Sequence, residues 1–306
     1  MDKALFITSQ ELESALVSKK PIVALESTVI AHGLPRPQNL ETAQRIEQIV
    51  REEGSIPATI AILAGRLSVG LSDEQIHFVA ENEDIKKVSI RDLPLAIAQK
   101  WNGATTVAST SWIAHRAGIK VFATGGIGGV HRGSLPDVSG DLPALANTPI
   151  VVVCSGAKIV LDLPATREWL ETYGITVIGY QCDEMPAFYS RSSGLPVDAR
   201  VDSPAEVADI FRAQRAFGIG GALLVTVPVP EKFEVPRANL ESALQAALKE
   251  ADSEGVRGRE LTPFLLSRMA QTSEGATLRA NIALLENNAR VAAQIARAVF
   301  SGETGD

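Results

Sequence analysis

Aromatic residues are scarce, at 5% of 306 positions, so the core of this chain is not built from rings. Apolar residues still reach 45%, supplied mainly by Val, Ile, Leu and Ala. That balance suits a buried parallel sheet covered by helices on both faces. Cysteine is nearly absent: Cys154 and Cys182 are the two. They fit no metal-ligand spacing and no disulfide framework, and both lie in or just after apolar runs, so they read as small reduced packing residues. Positive charge is in deficit, with 29 Lys and Arg against 36 Asp and Glu and a net charge of −7. An extended nucleic-acid surface needs a basic footprint and is excluded on this ground. A small phosphate-bearing ligand is not, because a local pocket needs only a few donors. No apolar run is long enough to span a bilayer. The start, Met1-Asp-Lys-Ala-Leu-Phe6, lacks the apolar region and cleavage site of a secretory signal, so cytoplasmic residence is expected.

What is present is alternation. Ile22–Leu25, Thr59–Ala64, Val121–Thr124, Ile150–Cys154, Ile175–Gly179 and Ala222–Val227 are short apolar runs with β-branched residues, the pattern of buried strands. Amphipathic stretches lie between them. Pro37 opens one whose apolar positions recur at Leu40, Ala43, Ile46 and Val50 before Gly54; a second covers about Ala205 to Phe217. Near the C-terminus Leu278, Ile282, Leu285, Ala289, Ala292, Ala296 and Val299 step by threes and fours along one face. The order predicts an α/β fold, an α/β/α sandwich with a mostly parallel central sheet. No repeat or low-complexity linker divides the chain, so one elaborated domain over residues 1–306 is expected.

Five segments carry polar residues where such a fold places its chemistry. Glu26, in Leu25-Glu26-Ser27-Thr28, directly follows a predicted strand, where burial can raise a carboxyl pKa into proton-transfer range. Taken alone it reads more readily as a strand-end cap, and His32 nearby as a packed histidine. Thr105-Thr106-Val107-Ala108-Ser109-Thr110 offers hydroxyls and amides to a phosphate, with a helix start near Thr110, or else simple helix caps. The glycine-rich run Thr124-Gly-Gly-Ile-Gly-Gly-Val-His-Arg-Gly133 is neither a P-loop nor a dinucleotide fingerprint. The following Asp137-Val-Ser139-Gly140-Asp141 adds hard oxygen ligands, suited to Mn²⁺ or Mg²⁺ retaining several waters. Lys158, in Cys154-Ser-Gly-Ala-Lys158, again follows a strand, where a lysine can reach a cleft as a nucleophile, although most lysines are solvated charges. Asn281 and Asn288 sit two turns apart on the flank of the C-terminal apolar face.

Taken together, and over most of the chain from Ile22 to Ile295, these segments resemble the pseudouridine-5′-phosphate glycosidase family, also called indigoidine synthase A-like. The ordered motifs ALESTVIAHGLPRPQNLETA, RDLP, WNGATTVAST, FATGGIGGVHRG, DVSGDL, VVVCSGAK, IGYQCDEMPAF and NIALLENNARVAAQIA carry the resemblance. It implies a Rossmann-like fold, a homotrimer, a Mn²⁺ ion, and cleavage of pseudouridine 5′-phosphate to uracil and ribose 5-phosphate through a lysine imine. Glu26 then matches the general acid, Lys158 the imine-forming nucleophile and Asp137 the metal ligand. Lys87, Thr106 and Val107 match positions near the sugar phosphate, Ser139, Gly140 and Asp141 the adjoining substrate-binding stretch, and Thr124 and Asn281 complete the pocket. Gly140 departs from the family run, which carries alanine there. The alternatives are a different sugar-phosphate lyase or an N-ribosyl hydrolase, and a non-catalytic sugar-phosphate sensor.

Overall fold

The computed structural model describes residues 5–132, 137–256, 258 and 261–301. Gly133, the last residue of the glycine-rich run, lies outside them. In chain order the strands are β1 (Phe6–Thr8), β2 (Ile22–Glu26), β3 (Ile56–Leu63), β4 (Arg66–Val69), β5 (Lys86–Val88), β6 (Gly103–Thr105) and β7 (Val121–Ala123). They continue with β8 (Val130–His131), β9 (Val151–Cys154), β10 (Leu161–Asp162), β11 (Thr176–Tyr180), β12 (Ala199–Val201) and β13 (Leu223–Thr226).

The main sheet runs β1-β4-β3-β2-β7-β9-β13-β11-β12. From β3 to β12 every pairing along this path is parallel. β4 doubles back antiparallel on β3 through a turn at Ala64-Gly65, and β6 pairs antiparallel with the other side of β3's end, carrying β5 with it. All five residues of β2 are buried, which in a parallel sheet means that both faces are covered. Helix Ala276–Ser301 packs across β2, β7 and β9, flanked by helices Gln38–Glu52 and Pro204–Ala216. Helix Val107–Arg116 packs on β2, β3, β6 and β7. The expected three-layer sandwich with a mostly parallel sheet is what forms.

Each of the six predicted strands exists within one to three residues at either end. The C-terminal helix spans 26 residues and buries the predicted apolar positions Leu285, Ala289, Ala292, Ala296 and Val299. Helix Val107–Arg116 begins earlier than the expected start near Thr110. Thr106 and Ser109 form a capping box there, the Thr106 amide donating to the Ser109 hydroxyl at 2.9 Å. The first amide turn therefore belongs to residues 107–109, and Thr110 is interior.

The site is placed by one topological feature. From the neighbouring strands β2 and β7 the chain moves on along the sheet in opposite directions, from β2 to β3 on one side and from β7 to β9 on the other. Helices connecting in opposite senses leave a crevice beyond the carboxyl ends of such strands. Glu26 is the last residue of β2, Thr124 follows β7, and Ser155 follows β9.

Candidate active site

The carboxyl ends of β2, β7 and β9 open into a cleft of about 780 Å³, within the usual range for small-molecule sites. Glu26, Lys158, Lys87, Thr106, Val107, Asp137, Ser139, Gly140 and Asp141 all line it. A narrower recess of about 50 Å³ shares Glu26, Thr28, Lys87, Lys158 and Thr262 with the cleft and adds Thr124 and Asn281. Every residue singled out from the sequence as a site residue therefore lies on one continuous wall system.

Glu26 is buried because it ends a strand of Ile, Val, Ala and Leu that has no route to solvent. The Thr124 hydroxyl donates to its Oε1. Burial pushes the Glu26 pKa above the ordinary carboxylate value; the Lys158 ammonium and the Thr124 bond oppose that rise without cancelling it, and Asp141 adds to it. A carboxyl group whose neutral form is favoured by burial, facing a lysine, is equipped to donate a proton.

Lys158 sits on a loop that the glycine-rich run locks in place. The Ser155 amide donates to the Gly125 carbonyl at 2.8 Å, Ile127 to Gly156 at 3.0 Å, and Lys158 to Ile127 at 3.1 Å. Gly156 makes this possible: its φ is +77°, and a Cβ there would meet the Pro186 carbonyl oxygen at 2.1 Å. β8 and β10 then pair antiparallel, closing the two segments over the side of the cleft.

Asp141 holds the same region from the other side. Its Oδ2 accepts the Gly128 amide at 2.8 Å and its Oδ1 the Ala108 amide at 2.9 Å. Both carboxylate oxygens are thus engaged in joining the glycine-rich run to the start of helix Val107–Arg116. Gly128 has no room for a side chain, since a Cβ would lie 2.2 Å from the Ser139 hydroxyl. The hydroxyls in the first turns of that helix are spent internally: Ser109 donates to Val88, Ser111 to Val107 and Thr110 to the Thr105 hydroxyl. At the helix start, Thr106 and Val107 face the cleft.

Asp137 is exposed and lines the cleft, its backbone carbonyl fixed by the His131 amide at 2.8 Å. Among the described residues no group of three or more His, Cys, Asp or Glu side chains forms a cation cage. The donor set therefore fits a hard cation held by the Asp137 carboxylate and water, and does not fit a cation enclosed by protein.

Sequence reasoning did not assign Thr28, His131, Phe188 or Thr262 to the site. Thr28 belongs to the Glu26 motif, and its hydroxyl donates to the Thr105 carbonyl at 2.7 Å, tying β2 to β6. His131 stands in the glycine-rich run; burial lowers its pKa, Asp137 opposes, and Lys87 and Lys158 add to the lowering, which favours a neutral imidazole. Phe188 closes the motif IGYQCDEMPAF, which carries the resemblance but shows no chemistry of its own, Thr262 lies in a segment with no local signal, and the fold brings both to the recess.

Comparison with known proteins points one way. A family model described as indigoidine synthase A-like protein matches residues 11–298. A pseudouridine-5′-phosphate glycosidase of Caldanaerobacter subterraneus subsp. tengcongensis is 52% identical over 290 residues, covering 94% of each chain. One of Escherichia coli K12 is 51% identical over 292 residues, also 94% of each. Among solved structures, the prealnumycin C-glycosynthase AlnA in complex with ribulose 5-phosphate superposes with a TM-score of 0.91 at 40% identity, over 99% of both chains. An indigoidine synthase A-like protein of Thermotoga maritima gives 0.89 at 38% identity, over 97% of both.

Proposed function

The chain belongs to the indigoidine synthase A-like family, and from that membership and the site's geometry we propose that it is a pseudouridine-5′-phosphate glycosidase. It cleaves the C–C bond between uracil and ribose 5-phosphate. The observation that carries the reading is the buried Glu26 at the end of β2, its pKa raised, with Lys158 as its foremost charged neighbour on the same cleft wall.

The substrate explains the pairing. Uracil is attached through carbon, so no glycosidic heteroatom is available to protonate in a simple hydrolysis. The Lys158 amine attacks C1′ while Glu26 gives its proton to the ring oxygen, and the C1′–O4′ bond breaks to open the ribose. The nitrogen lone pair then expels uracil, whose C5 takes a proton, leaving a C1′=N imine. Water adds to the imine and releases ribose 5-phosphate and the free lysine. Glu26, regenerated as a carboxylate after the first step, is placed to take and return the later protons.

Lys87 and the amino end of helix Val107–Arg116, with Thr106 beside it, are assigned to the phosphate, since a cationic side chain and the positive end of a helix favour an anion. The recess, walled by Val29, Phe188, Pro263 and Leu266 with Asn281 on one side, is assigned to uracil. An amide can both donate to and accept from the imide edge of the base. Ser139 and Gly140 line the cleft between these poles, with Asp141 behind them. Asp137 is the residue that would hold Mn²⁺ or Mg²⁺ through one carboxylate and water. When bound, the cation offsets negative charge and orients substrate. A homotrimer and cytoplasmic residence are part of the same proposal and rest on the family resemblance; no helix among the described residues is long and apolar enough to cross a membrane.

An ultraviolet assay of uracil release tests this. Pseudouridine 5′-phosphate should be cleaved, faster with Mn²⁺ than after chelation, and N-linked uridine 5′-monophosphate should not. Cleavage of the N-linked nucleotide alone would replace the reading with an N-ribosyl hydrolase. Tight binding without uracil release would replace it with a sensor.

A further inference from the structure

Asn288 is not among the residues that line the cleft or the recess, yet it is 1% exposed and lies behind both. Its amide Nδ2 donates to the Thr124 carbonyl at 2.9 Å and lies 3.4 Å from the Gly125 carbonyl. The same amide faces the Ser155 hydroxyl, with Nδ2 to Oγ at 3.1 Å and Oγ to Oδ1 at 3.3 Å. A buried primary amide is costly unless its hydrogen-bonding capacity is met. Here that capacity is spent wholly on two loops, those leaving β7 and β9. The first carries Thr124, whose hydroxyl holds Glu26. The second begins at Ser155 and ends at Lys158, three residues on.

Packing alone does not ask for an amide here. The neighbouring buried positions of the same helix, Leu284, Leu285, Ala289 and Ala292, are apolar, and the face would be filled by an aliphatic residue. What an aliphatic residue could not do is hold two carbonyls and a hydroxyl at fixed separation. The helix is a rigid strut, 26 residues long and packed across β2, β7 and β9, so a bond from it fixes a loop against the sheet as a whole. Two turns earlier it presents Asn281 to the recess.

We infer that Asn288 is a positioning residue for the proposed imine chemistry, joining the loop that holds the acid to the loop that bears the nucleophile. This rests on the assignment of Glu26 and Lys158 above. The amide does not touch substrate; it sets where the proton donor and the amine stand relative to each other. Displacement of a catalytic group by about 1 Å costs on the order of 100-fold in rate.

The test compares Asn288→Ala and Asn288→Asp with the wild-type protein by steady-state uracil release across pH, with thermal unfolding alongside. Asn288→Ala should lower kcat by roughly 10- to 100-fold while KM changes by less than about threefold. Asn288→Asp is isosteric, and a carboxyl so deeply buried stays neutral at low pH, where its O–H can donate to the Thr124 carbonyl. That variant should retain activity at acid pH. It should lose it as pH rises, when ionisation removes the donor and places a negative charge behind Glu26. A second alkaline step in Asn288→Asp, additional to the one the wild-type protein shows, is thus the signature, and it is readable even if Asn288→Ala does not fold. An Asn288→Ala protein with a lowered Tm but wild-type kcat, or an Asn288→Asp pH profile like that of wild type, would overturn the inference while leaving the function intact. Absence of uracil release from the wild-type protein would instead remove the functional reading, and this one with it.

Discussion

Glu26 and Lys158 owe their properties to different causes. The glutamate is made an acid by burial: the sheet removes water from its carboxyl, and neither the lysine charge nor the Thr124 hydroxyl restores the usual ionisation. The sign of the pH dependence follows. With a raised pKa the protonated, proton-donating form is complete at low pH and is lost as pH rises through that raised value. The alkaline side of the kcat/KM profile should therefore report Glu26. Glu26→Gln, which keeps the shape and cannot give a proton to the ring oxygen, should lose about 10²- to 10⁴-fold in turnover. The same group contributes to folding with the same sign, since the folded state holds its proton more tightly than the unfolded chain. Its contribution is full below the unfolded carboxyl pKa and is lost as pH rises through the folded value. Thermal unfolding of Glu26→Gln should thus decline less steeply than that of the wild-type protein across that window. Equal slopes would mean that folding does not raise the Glu26 pKa.

Between elements, the site is a matter of how strand ends are tied together. β2, β7 and β9 are parallel neighbours; the loops after β7 and β9 interlock through backbone bonds at Gly125, Gly156 and Ile127, and the Thr124 hydroxyl ties the end of β2 to them. Gly156 is the tightest point. A Gly156→Ala protein would put a methyl group against the Pro186 carbonyl and an alanine at φ +77°. The backbone conformation alone costs about 1–3 kcal/mol, and relief of the clash would move the loop bearing Lys158. A fall in Tm accompanied by a disproportionate fall in kcat is expected; a fall in Tm with unchanged kcat would show that the loop position does not matter. These elements were legible in the sequence to different degrees. The six buried strands announce themselves as β-branched runs, and the C-terminal helix by its period. The short strands β5 and β6 give no such signal, because three residues carry no period and they join the sheet through β6's pairing with β3. The hydroxyl run from Thr105 to Thr110 reads first as helix caps and only second as an anion site, and the capping box at Thr106 and Ser109 shows how its helix-start pair is used.

Across the molecule, a position in the sheet converts distant motifs into one cleft. Glu26 and Lys158 are far apart in sequence, and nothing local to either distinguishes a catalytic group from a strand-end cap or a surface charge. The strand order does so, because the reversal of direction between β2 and β7 opens the crevice at the carboxyl ends where both lie. What sequence could not give is the division of labour among the polar groups. Asp141 reads in the sequence as a ligand for substrate or metal, and what the sequence does not show is that its two oxygens also hold the Gly128 and Ala108 amides. Asn288 looked like a border residue and is the tie between two loops. Both distinctions depend on which partner a side chain reaches in space. At this scale too belongs assembly: sedimentation equilibrium should give three times the 32.5 kDa chain mass if the trimer forms, and a concentration-independent single-chain mass would refute it.

The central claim is that Lys158 becomes covalently joined to the sugar during turnover. Incubation with ribose 5-phosphate and sodium borohydride, followed by peptide mass analysis, reads this out directly. The account predicts a reduced pentose-phosphate adduct on Lys158, absent from Lys158→Ala and from protein treated without sugar. Full uracil release by the same preparation with no adduct on Lys158 would contradict it.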